Sequence, residues 1–303
     1  MQRERSKLTA GLLFVLLASF GYGTMPAVTQ YALASGVAIE TVLASRYLFG
    51  LPLIWIYIFF RRKNVRVGRG NALFMTAAGC TTVLCAITMN ESYKYIPGFI
   101  ASLLVFLYVV IVVLIEILIG KEKPHKSRLL CLALAVIGLI AVVWVPDGDV
   151  SLNPIGIFFA FAAALTYALS AVIMGAKRLA DISAEVVMGF MFLIPMAVSL
   201  IRAAAAGCPL VPPESPQIIF VIFLSLSAGF VAPVAFCQAI KLIGASTSSM
   251  INTSEPVIAY FAGVVIMSDR ISGSSMLGGG LIIVAILLLN ITERKRASSI
   301  DLK

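Results

Sequence analysis

Residues 243–267 read IGASTSSMINTSEPVIAYFAGVVIM, an apolar run with Asn252, Thr253, Ser254, Glu255 and Pro256 near its middle. About 20 apolar residues cross the hydrocarbon core of a bilayer, so this run is long enough to span one. A carboxylate at mid-membrane costs about 2.5–3.5 kcal/mol on insertion scales, so Glu255 calls for a compensating role. Pro256 removes a backbone donor and loosens the helix beside it. A broken helix carrying an acid at the midplane is a common way for carriers to build a binding site.

The rest of the chain agrees with a membrane reading. Its 303 residues are 60% hydrophobic and 12% charged, with a mean hydropathy of +1.03. Such density of apolar residues is expected of an integral membrane protein and not of a soluble domain. Ten apolar segments are predicted, at about 9–33, 38–60, 70–92, 97–120, 127–146, 153–176, 184–206, 217–240, 244–267 and 273–292. The uncharged stretch that opens the chain continues from Leu8 to Ile39, too long for a cleaved leader, and is read as the first span.

The net charge is +9. In a soluble protein that would point to nucleic acid; here the loops hold nearly all of it, and no nucleic-acid partner is expected. With both termini on one side, that side takes 19 of the 23 Lys and Arg residues, leaving Lys94, Arg202 and Arg270 opposite and Arg46 within the second segment. By the positive-inside rule both termini are expected in the cytoplasm, with the chain crossing the inner or plasma membrane many times. Of the five cysteines none forms a CxxC pair, and His125 is the sole histidine, so no metal or cofactor is expected.

The two halves align. At an offset of 145, Gly11, Phe14, Ala18, Tyr22 and Glu40 match Gly156, Phe159, Ala163, Tyr167 and Glu185. At an offset of 147, Lys94, Ile96 and Ser102 match Lys241, Ile243 and Ser249, and Glu122-Lys123 matches Asp269-Arg270. Five segments per half is an odd number, so the second half enters the membrane from the opposite side. Inverted repeats of this kind are a hallmark of secondary transporters.

The same landmarks carry a family resemblance. Each half resembles an EamA domain of the drug/metabolite transporter superfamily. The stretch from Glu40 to Arg46 resembles the family's second-helix pattern. The passage from Tyr93 to Ser102 resembles its junction of third and fourth helices, and Ala239 to Ser246 repeats it. Pro256 is followed by Asp269-Arg270 where the family has Glu-Arg; in the first half Glu122-Lys123 keeps the pair, while Val109 stands in place of the proline. The resemblance implies an all-α polytopic membrane protein of ten transmembrane helices in two inverted five-helix repeats, 8–146 and 152–292, around a central cavity, with a short cytoplasmic tail at 293–303. It also implies transport of small metabolites, often amino acids and often outward. The missing proline implies a straighter fourth helix.

Several residues are candidates for a substrate or ion site. Glu255 leads, because a carboxyl removed from water suits the carriage of a proton or the binding of an amine. Asn252 shares its helical face at i, i+3. Tyr108 is its counterpart in the first repeat and offers a hydroxyl or a ring face to a cation. Asn90, Glu91 and Gln238 lie near span ends, where they either line the cavity or cap helices. Arg46 either binds a substrate carboxylate, pairs with Glu40 or snorkels to the interface. Tyr22 and Pro26, with the Gly21-x-Gly23 pair, make the first span bendable, and Pro256 does the same for the ninth. Small residues at Ser274, Ser275, Gly278 and Gly279 suit tight helix packing or a homodimer.

The expected partners are a small-molecule substrate, a proton and the lipid bilayer. Two other readings stay open: an uncoupled facilitator of the same solutes, and a membrane-embedded lipid-modifying enzyme. The enzyme would need clustered carboxylates or histidines, and the outer loops offer Asp147 and Asp149. No Walker-type loop is present for an ATP-driven pump.

Overall fold

The computed structural model describes residues 2–118, 130, 133–134, 137–138, 140–141, 153–174, 176–179, 181–212, 215–243, 248, 251–252, 254–268 and 273–300. Most of the predicted fifth segment lies outside these residues, as do Thr253 and the Glu122-Lys123 and Asp269-Arg270 pairs. The described regular elements are all helical. They are α1 (Gln2–Ala34), α2 (Ile39–Phe60), α3 (Arg69–Ser92), α4 (Gly98–Val105), α5 (Tyr108–Leu118), α6 (Pro154–Met174), α7 (Ala184–Met191), α8 (Leu193–Ala205), α9 (Ser215–Leu226), α10 (Ala232–Ile243), α11 (Glu255–Ala262) and α12 (Gly273–Ile300), with one short 3₁₀ turn and two π segments between them.

Among the described residues six stretches are long and apolar enough to cross a membrane: Lys7–Ala34, Ile39–Phe60, Arg69–Ser92, Pro154–Met174, Ala184–Ala205 and Gln217–Ile243. They coincide with the predicted first, second, third, sixth, seventh and eighth segments. The fourth, ninth and tenth contribute shorter apolar helices, Gly98–Val112, Glu255–Met267 and Met276–Ala285.

Two of these stretches are interrupted where proline makes the backbone yield. Pro195 has no N–H for the carbonyl of Met191, four residues back, and the helix breaks between α7 and α8 at Phe192. Gly79 on α3 fills the gap, since a Cβ there would lie 2.6 Å from the Met191 oxygen. Pro233 leaves the carbonyl of Gly229 without its partner, and the chain there widens into a π segment, Ser227–Val231, between α9 and α10.

The fourth segment is not the straight helix expected. α4 ends at Val105 and α5 begins at Tyr108, and the Leu107 N–H bonds back to Leu104, three residues away instead of four. The tightened turn does locally what the absent proline does not.

Helices in lipid gain little from hydrophobicity against one another, so close approach and buried hydrogen bonds hold them. The α3–α6 pair shows both. Ala160, Ala164 and Ala168 form a fully buried stripe at i, i+4, i+8 on α6. The Thr82 and Ser170 hydroxyls bond at 3.0 Å, and Ser92 donates to the Gly156 carbonyl at 2.9 Å, so the two helices run antiparallel. Tyr47 meets Phe192, and Trp55 meets Phe190, edge-on across the α2–α7 contact. Two glycines of α12 pack within the chain: Gly278 and Gly279 are buried, and a Cβ on Gly279 would meet Leu103 at 2.7 Å.

Candidate functional site

The site is built around the start of α11. The predicted break in the ninth segment is present: the Ser254 N–H bonds to Ile251 three residues back, and α11 starts at Glu255 with Pro256 in its first turn. There a proline loses nothing, because the first N–H groups of a helix have no intrahelical acceptor. The same position places the Glu255 carboxylate at the positive end of the helix dipole.

Glu255 is tied into the bundle by a short chain of bonds. Asn252 Nδ2 donates to Glu255 Oε2 at 3.1 Å, and the fully buried Ser19 of α1 donates to Asn252 Oδ1 at 3.0 Å. The predicted Asn252–Glu255 pairing is therefore present. The α1 backbone closes on the same point, since a Cβ on Gly23 would lie 2.8 Å from the Glu255 carbonyl oxygen. Gly21 faces the π segment, with its would-be Cβ 2.9 Å from the Ser227 oxygen. The Gly21-x-Gly23 pair thus serves close approach, and α1 runs unbroken through Tyr22 and Pro26.

Tyr22 of α1, Tyr93 at the end of α3, Tyr108 of α5 and Tyr167 of α6 lie close enough to Glu255 to interact electrostatically. The rings of Tyr108 and Tyr167 meet edge-on at 4.4 Å. Tyr22 and Tyr167 occupy equivalent repeat positions, as do Tyr108 and Glu255, so two equivalent pairs converge on one place.

Arg46 of α2 approaches from the other direction. It too lies within electrostatic range of Tyr22 and Tyr93, and its guanidinium sits 5.4 Å from the centre of the Tyr47 ring. Its Nε is buried without a hydrogen-bond partner. Arg46 does not pair with Glu40, as one reading of the sequence had it: Glu40 bonds Arg202 of α8 at 3.0 Å. Glu255 and Arg46 thus both lie within electrostatic range of Tyr22 and Tyr93, opposite charges of the kind that a small solute with both a cationic and an anionic group would engage.

The remaining candidates lie apart. Asn90 is buried, and its amide donates back to the Ala86 carbonyl of its own helix at 2.7 Å. Glu91 pairs with Lys94 at 2.8 Å at the end of α3. Gln238 donates at 2.8 Å both to the Tyr57 hydroxyl and to Glu185, at the end of the bundle bearing the α2–α3 connection.

Gln30 was not anticipated. Its amide donates to the carbonyls of Tyr93 and Ile96 and accepts from the Gly98 N–H, at 3.0, 2.9 and 2.8 Å. It holds the α3–α4 corner onto α1; a polar side chain inside an apolar run was the available signal. The π segments Ser227–Val231 and Gly263–Met267 also had no reading in the sequence.

Comparison with known proteins agrees with this architecture. A curated protein of Clostridium kluyveri named "Uncharacterized transporter" is 24% identical over 97% of this chain and 96% of its own length. A crystal structure described only as that of a protein has a TM-score of 0.67 with 18% identity, covering 95% of this chain and 98% of the other, which shows a shared fold. The model of the EamA-like transporter family matches twice, over residues 9–144 and 154–291. With nearly every described residue inside one match or the other, this apolar helical chain belongs to the EamA-like transporter family.

Proposed function

We propose that the protein is a secondary transporter that exports small polar metabolites, amino acids or close relatives, by alternating access. In this reading ten helices form two inverted five-helix repeats around a central cavity, and both termini lie in the cytoplasm. Glu255 binds the solute's amine or exchanges a proton, Asn252 orients the carboxylate, and Tyr22, Tyr108 and Tyr167 line the path. Arg46 takes the solute's carboxylate. Tyr22, Pro26 and Pro256 lie where the helices flex between states.

The observation that carries the reading is the convergence of Glu255, Arg46 and their shared tyrosines inside an apolar bundle. A half-buried carboxylate and guanidinium within an apolar bundle are costly, and a zwitterionic solute would compensate both. The two family matches support the repeat arrangement.

The test is flux from proteoliposomes loaded with a panel of amino acids and related metabolites, with and without a pH gradient. Selective efflux that follows the gradient is expected. Selective efflux indifferent to it would indicate a facilitator, and no efflux across the panel would overturn the reading.

A further inference from the structure

Glu40 and Glu185 occupy equivalent repeat positions, and each lies in the first turn of its helix, α2 and α7. Lys94 and Lys241 are equivalent in the same way, near the ends of α3 and α10. By the repeat, then, Glu40 stands to Lys94 as Glu185 stands to Lys241. The contacts they make are not equivalent.

Glu185 Oε1 receives Lys241 and the Gln238 amide from α10, with Lys63 3.9 Å away and Tyr57 joined through Gln238. Its side chain has no accessible surface. This knot gathers α7, α10 and the end of α2 at one face of the bundle. At the opposite face the corresponding knot is untied. Glu40 is 20% exposed and is held by Arg202, while Lys94 turns back to Glu91 on its own helix. Arg202 stands at the repeat position of Tyr57, so Glu40 holds the counterpart of the residue that Gln238 joins to Glu185, and does not hold Lys94.

In an inverted-repeat protein the two halves can exchange conformations, and the second state then shows each contact transferred to its repeat equivalent. We propose that Glu185–Lys241 and Glu40–Lys94 are alternative latches, one on each face, and that this structure has the first closed and the second open. Closing the second requires Glu40 to leave Arg202 for Lys94 while Glu185 releases Lys241. Lys63 stays beside the buried Glu185 when Lys241 leaves it, and Arg202, Glu91 and Lys241, all partly exposed, give up their present partners to water. The proposal rests on the alternating-access reading above.

Cysteine pairs in the full chain, with the five native cysteines replaced by alanine, report each latch without any knowledge of the solute. Glu185→Cys with Lys241→Cys should be joined readily by a short thiol-to-thiol reagent. Glu40→Cys with Lys94→Cys should be joined slowly, as the minor state is visited. Adding Lys241→Gln to that second pair should raise its yield roughly fivefold or more, as expected when one of two competing states loses a charge pair. Because an altered knot could disturb folding, Lys241→Arg, which keeps the charge beside Glu185, serves as the second variant and should leave the yield at its starting value.

A Glu40–Lys94 pair whose yield ignores Lys241→Gln, in protein that elutes as a single folded species, overturns the latch. Exchange between the pairs upholds the latch, and absence of efflux from the unsubstituted chain overturns the transport reading instead.

Discussion

Gly50 of α2 and Gly229 of the π segment touch backbone to backbone: a Cβ on Gly50 would lie 2.7 Å from the Gly229 carbonyl oxygen, and one on Gly229 would lie 2.8 Å from that of Arg46. No side chain yields at such a contact, so the helices themselves must part. Because the contact sits one turn from Arg46, its spacing sets how far the guanidinium reaches toward the tyrosines. Gly50→Ala should cost about 1–3 kcal/mol, the usual range for overpacking a tight core. Its melting temperature in detergent should fall clearly below that of Gly280→Ala, where a Cβ meets nothing within 4 Å. Equal melting temperatures would mean that the α2 contact is looser than described.

Glu255→Gln keeps an oxygen for Asn252 Nδ2 to donate to, so the fold should survive. If the carboxyl carries the coupling proton, uphill flux should disappear along with the response to a pH gradient, while exchange of solute for solute persists. A variant with unchanged flux and unchanged gradient response would remove Glu255 from coupling and leave the fold assignment standing.

Arg46→Gln should separate solutes by charge. The KM for a solute bearing a carboxylate should rise roughly tenfold to a hundredfold, the loss of a charge-assisted hydrogen bond of about 1.5–3 kcal/mol. The KM for the corresponding amine without a carboxylate should change little. An equal rise for both would make Arg46 a structural residue.

Gln30→Leu removes the partner of three backbone groups at once. Each unsatisfied buried group costs about 1–3 kcal/mol, so this substitution should be among the most damaging single changes in α1. Gln30→Glu should be milder, because it still accepts from the Gly98 N–H. Detergent-solubilised yield and melting temperature should rank the two in that order.

Reporter fusions test the segment count. An even number of spans puts both termini on one side, and under the proposed reading the distribution of Lys and Arg places that side in the cytoplasm. A reporter fluorescent in the cytoplasm should light at either end, and one active outside should stay silent at both. Opposite behaviour at the two ends would require an odd count and would remove the inverted repeat.

Much of the architecture was legible in the sequence because membrane insertion is decided locally. An apolar stretch of sufficient length, a bias of basic loops and a proline beside an acid can each be read without knowing what they touch. That is why the first, second, third, sixth, seventh and eighth spans, and the break before α11, fall where expected. It is also why Glu255 and Asn252 were recognised together, being neighbours on one helical turn. Partnerships between distant residues were not legible. Glu40 had Arg46 as the one cation on its own helix, yet it pairs with Arg202, 162 positions away. The close approach of the α1 glycines to α11 and the π segment was not legible either. The fourth segment, without a proline, still breaks. In each case the outcome depends on how two helices cross and in what register. Apolar surfaces that face lipid and apolar surfaces that face another helix have nearly the same composition. The sequence therefore determined which segments enter the membrane and which charged groups go with them; only the packed bundle decided which of those groups meet.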